Sequence, residues 1–81
     1  MGETDSVVRA LLTAMATLED LIPESMMALS TLEEIAFELG EMGSDERRMF
    51  IDALNRIAAE EPDRADWIHD LPLALGLADG V

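Results

Sequence analysis

Apolar side chains recur at three- and four-residue intervals in three successive stretches of this chain, a spacing that suits helices with one buried face. The plainest stretch is SDERRMFIDALNRIAAEEP, from Ser44 to Pro62. Ser44 follows Gly43 and can cap the orphan amides of a first turn, Asp45 and Glu46 place negative charge at the positive end of the helix dipole, and Pro62 ends the segment. Phe50, Ile51, Leu54, Ile57 and Ala58 share one face. Arg48, Asp52, Asn55, Arg56 and Glu60 occupy the other, with Asp52 and Arg56 ordered as an i,i+4 ion pair. The pattern predicts a helix over about 45–60 whose apolar face requires a core.

Upstream, Thr4, Asp5 and Ser6 offer caps ahead of Val8, Leu11, Met15, Leu18 and Ile22, whose alternating intervals form a bundle seam. Val7, Leu12 and Leu21 widen that stripe, while Arg9, Thr13 and Thr17 fall outside it. The first helix is expected over about 6–20, ended by Pro23. The second, about 24–41, carries Met26, Leu29, Leu32, Ile35, Ala36, Leu39 and Met42. Within it, Ser30 with Glu33 or Thr31 with Glu34 could form a capping box, so an irregularity at Ser30 is allowed. Gly40 and Gly43 stop it, and the short step into the next helix implies an antiparallel hairpin with helices two and three as neighbours. Asp63 caps a short fourth helix, about 64–71, ended by Pro72. The apolar segment that follows is expected to be an irregular strap over 72–81, with Leu73, Leu75 and Leu77 covering the bundle together with Trp67 and Ile68, or docking on another chain.

The fold class is therefore all-α, a single-domain up-and-down bundle of three main helices plus a short fourth. A domain of 81 residues buries only about 60–65% of the surface its unfolded chain exposes. Without cysteine it has neither a disulfide nor a thiolate metal site, so homodimerisation is expected to complete the bundle. With 5 Lys+Arg, all arginine, against 18 Asp+Glu, net charge −13, the chain has no basic patch for nucleic acid or an anionic membrane surface. No run of eighteen apolar residues marks a membrane span, and MGETDS is acidic where a secretory signal is basic, so the expected compartment is the cytoplasm.

Residue patterns that could carry chemistry are few. His69, near Asp66 and Asp70, has the elements of half a carboxylate and histidine metal pair, but the paired Glu-x-x-His set of a di-iron bundle is missing. Glu34, Glu38 and Glu41, with Glu33 beside them, form an acidic row that reads as a solvated helix face. Ser25, Ser30 and Ser44 have no candidate base, and no metal or cofactor is expected.

The stretch EDLIPESMMALSTLEEIAFELG, Glu19 to Gly40, resembles the helix-two region of acyl carrier proteins, small acidic four-helix proteins in which an Asp-Ser-Leu motif carries a phosphopantetheine arm. The corresponding triplet is Glu24, Ser25 and Met26, which keeps only the serine and lacks that family's long preceding loop. The resemblance implies Ser25 as an attachment site.

The residues themselves favour a different function, a non-enzymatic protein–protein interaction module, such as an adaptor, regulator or small chaperone, with an apolar groove and an acidic rim. Six methionines suit a surface that repacks around varied apolar partners. Met26 and Met27 are consecutive and cannot both face inward, so one is expected to meet another chain. Met26, Met27, Trp67, Leu73, Leu75 and Leu77 are the candidate partner-binding residues. The alternative is an acidic inhibitor that mimics nucleic acid on a basic partner surface.

Overall fold

Val8, Leu12 and Met15 of the first helix lie at the centre of the structure, a computed structural model in which residues 3–77 are described. Leu18 and Ile22 of the expected seam lie outside the core. Helix α1 spans Glu3–Leu21, and a 3₁₀ turn, Ile22–Glu24, leads into α2, Met26–Gly40. Helix α3 spans Ser44–Glu60, and a second 3₁₀ turn, Pro62–Arg64, leads into α4, Ala65–Ala74. The architecture is an all-α bundle, as the periodicity requires. Among the described residues, no helix is long and apolar enough to cross a membrane.

Val8, Leu12 and Met15 of α1 interlock with Phe50, Ala53, Leu54, Ile57 and Ala58 of α3, and Ile68, Leu71 and Leu77 close the cluster. Leu12, Ala53, Ile57 and Ile68 are completely enclosed. The widened stripe on α1 is narrower than expected, because Val7 and Leu21 face outward and only Leu12 joins the core. Each fully buried leucine or isoleucine stabilises the fold by about 1.5–3 kcal/mol, so this three-helix contact dominates the packing.

Helix α1 is already formed at Glu3, ahead of the expected cap at Thr4–Ser6, and the side chain of Asp5 is used elsewhere. Its carboxylate accepts two hydrogen bonds from Arg56, from Nε at 3.1 Å and from Nη2 at 2.7 Å. The expected Asp52–Arg56 pair gives way to this bond between helices, since the planar guanidinium fork meets a nearly enclosed carboxylate in bidentate register. Arg9, outside the seam, also reaches α3, donating to Glu60 and, at 2.6 Å, to Glu61.

Helix α2 is continuous through Ser30, and its N-cap is Ser25, whose Oγ accepts from the Ala28 amide at 3.2 Å. The possible second start at Ser30 or Thr31 is not used, and the Thr31 hydroxyl donates back to the Met27 carbonyl at 2.8 Å. Helix α3 is capped by the Gly43 backbone, with Ser44 already helical; Glu46 accepts from the Gly43 amide at 3.2 Å. The expected pairing of α2 with α3 does not occur. Helix α2 lies against α1, and α3 packs on α1 and α4.

The largest departure is at Pro72, which does not end α4. The helix passes through it to Ala74 and closes in a Schellman turn, with Gly76 at φ 75°, the Leu77 amide bonded to the Pro72 carbonyl at 2.7 Å and the Gly76 amide to that of Leu73 at 3.1 Å. A proline in a helix interior costs about 3 kcal/mol. Burying Leu71 and Leu77 returns about 3–6 kcal/mol, which decides the contest for helix. The expected strap is thus an extra helical turn with a folded-back Leu77, and its last part, residues 78–81, lies outside the described residues.

Candidate functional site

Helix α2 carries more exposed large apolar residues than any other helix, with Met26, Met27, Leu29 and Phe37 outside its inner face. Its inner side, Leu32, Ile35 and Leu39, is half-buried against the core, and Ala28 is the one α2 residue fully enclosed. Met26 and Phe37 lie eleven residues apart, three helical turns, on the outward side, and they are 82% and 67% exposed. Met27 is 77% exposed and Leu29 is also open to solvent. Cap, length and continuity hold α2 in shape, but only one flank is covered.

Because α2 touches α1 without closing on α3 or α4, grooves remain along its edges. The larger, about 480 Å³, runs between α2 and α4: Met15 and Leu71 form part of its floor, Leu32 and Ala36 one wall, Ala74 and Leu75 the other, with Ile22 and Pro23 at one end. Glu19 and Glu33 are the charged residues in its lining. A second groove, about 330 Å³, runs between α2 and the start of α3, with Leu11, Leu39, Met42 and Phe50 inside and the outward-facing Val7 and Met49 at its lips.

The charge around α2 has one sign. Glu33, Glu34 and Glu38 lie on α2, Glu24 and Glu41 flank it, and neither α2 nor α4 contains an arginine. Three of the five arginines are tied to the chain's own acids: Arg56 to Asp5, Arg9 to Glu60 and Glu61, and Arg64 beside Glu61 at 3.4 Å. Arg56 holds the Asp5 carboxyl below the ordinary aspartate range chiefly by its hydrogen bonds, against burial, which pushes it up.

The candidate partner-binding residues divide in the structure. Met26, Met27 and Leu73 are exposed. Both methionines face solvent, instead of one turning inward, because the adjoining Ala28 takes the inward position at the start of α2. Leu75 lines the larger groove, half-buried against the core, and Leu77 is enclosed within the chain's own core. Trp67 ties α4 to α1: its indole N–H is shared between the Glu19 carboxylate oxygens at 3.1 and 3.2 Å, and the Arg64 guanidinium stands 5.3 Å from its ring centre. Sequence reasoning passed over Phe37. The signal was present, since Phe37 follows Ala36 and precedes Glu38, off the seam running through Leu32, Ile35 and Leu39.

Ser25 is engaged as the α2 cap. His69, Asp66 and Asp70 all point to solvent, and among the described residues no three His, Asp or Glu side chains converge on a point that could hold a metal ion. No known family model matches the chain, and no curated protein or solved structure does.

Proposed function

We propose that the chain is a non-enzymatic protein–protein interaction module that engages its partner through α2 and the apolar grooves beside it, within a rim of carboxylates. The observation that supports this most strongly is α2 itself, a helix apolar on two sides with a single flank covered. An unpaired apolar face beside a groove is the usual geometry for binding another protein. An adaptor, a regulator or a small chaperone would use such a surface in the same way.

The test is affinity capture from the source organism with immobilised wild-type protein and with a Met26→Ser, Phe37→Ser double variant, at about 0.1 and 0.5 M NaCl, where the Debye length falls from about 10 Å to about 4 Å. A partner held by wild type at both salt concentrations and lost from the double variant supports the proposal. Equal capture by both proteins, disappearing at the higher salt, would show binding by charge alone and favour mimicry of nucleic acid on a basic surface.

A further inference from the structure

Resting on that reading, we infer that the groove between α2 and α4 receives an amphipathic helix from a partner protein whose apolar stripe is flanked by lysine or arginine. Shape sets the first half of this assignment. The groove is walled by two helices, floored in part by the core side chains Met15 and Leu71, and faced by aliphatic groups, so it accepts aliphatic side chains spaced along one helix face. Helix α2 faces the groove with Leu32, Glu33 and Ala36 and α4 with Leu71, Ala74 and Leu75, little more than one turn of each, so the occupant seats one or two turns of its stripe there.

Charge sets the second half. Glu19 and Glu33 stand in the groove lining, Glu24 lies in the turn at its end, and no arginine lies on either wall. An apolar helix edged with acids would meet like charge at Glu19, Glu24 and Glu33, whereas one edged with lysine finds carboxylates to pair with there. The same argument disfavours a second copy of this chain, since 18 acidic residues stand against 5 arginines and three of those arginines are already paired within the fold.

The probe is a labelled peptide of about 15 residues with leucine at i, i+3, i+4 and i+7 positions and lysine elsewhere, titrated by fluorescence anisotropy into the full-length protein. Two further peptides serve as comparisons, one of identical composition with the stripe scrambled and one with glutamate in place of lysine. The striped lysine peptide is expected to bind at least tenfold more tightly than either. Ala36→Gln, which puts a longer polar side chain on the groove wall, is expected to weaken it about tenfold, and Glu33→Lys severalfold. Ala59→Gln, on the exposed side of α3, should leave it unchanged. If thermal melting shows that Ala36→Gln has not folded, Glu33→Lys and the scrambled peptide carry the comparison.

Equal binding of the scrambled peptide overturns the groove, and equal binding of the glutamate peptide overturns the basic flank. A wild-type dimer at low salt that Ala36→Gln converts to monomer overturns the proposal in favour of a second copy. Failure of all three peptides also overturns it. In that event a partner lost through the Met26→Ser, Phe37→Ser variant would still leave the interaction-module reading standing with a different occupant.

Discussion

Asp5 and Arg56 show how a single charged residue ties the start of α1 to α3 across 51 positions of sequence. Arg56 stabilises the carboxylate over the carboxylic acid, so the folded-state pKa of Asp5 lies below its unfolded value. By linkage, the stability this gives is fully present above the unfolded value, about pH 4, and is lost as the pH falls through the folded one. Asp5→Asn should therefore melt below wild type at pH 7, and the difference should shrink steadily below pH 4. A difference of equal size at pH 2 and pH 7 would mean that shape, and not charge, holds the contact. Arg9 is a useful comparison because its partners are more open to solvent: Arg9→Gln should cost less than about 1 kcal/mol, and the cost should fade in about 0.5 M salt. Neither bond was legible in the sequence. The i,i+4 rule pointed Arg56 toward Asp52, because local spacing is visible along a chain and pairing between helices is not. Phe37 is the opposite case, a residue whose outward position follows from spacing alone.

The four helices were largely legible because each rests on a repeating apolar face, and the ends were less so because an end depends on what the next residues bury. Helix α4 makes this concrete. Pro72 is a strong local stop, and it is overruled by Leu71 and Leu77 together, a comparison of burial energies that needs the fold to be known. The side-by-side placement of α2 and α3 failed for a similar reason: a short connection suggests neighbours, but α1 had apolar surface to offer both. Of the candidate site, the methionine pair was readable as unusual, whereas the groove between α2 and α4 was not, since it exists only where two helices fail to meet. Three substitutions test the end of α4 and of α2. Leu77→Ala should cost about 2–5 kcal/mol by opening a cavity in the core, measured by urea unfolding. An unchanged midpoint there would mean that Leu77 serves another chain. Gly76→Ala should cost about 1–2 kcal/mol through its positive φ alone, since an added methyl would meet nothing within 4 Å. Gly40→Ala, equally open to solvent but helical, should have the opposite sign and stabilise by about 0.5–1 kcal/mol.

At the scale of the whole molecule, the dominant fact is a net charge of −13 in a body whose longest dimension is 35 Å. At about 10 mM ionic strength the Debye length is about 30 Å, so nearly every carboxylate feels every other, and at about 1 M it is about 3 Å, so each feels only its neighbours. Self-repulsion of this kind opposes the compact state. Added salt should therefore raise the melting temperature, by roughly 4–8 °C for each kcal/mol of repulsion removed in a domain of this size. Most of the rise should come below about 0.2 M, where screening changes fastest. The same charge opposes any encounter between two copies, while the uncovered side of α2 favours one. We therefore expect a homodimer that uses the α2 face to be weak at low salt and to strengthen as salt is added, the reverse of an association built on ion pairs. Sedimentation equilibrium at about 20 mM and 0.5 M NaCl reads this directly as a rising weight-average mass, and Phe37→Ser should abolish the rise. A dimer of constant strength across that range, untouched by Phe37→Ser, would place the contact on another face and leave α2 free for a partner of opposite charge.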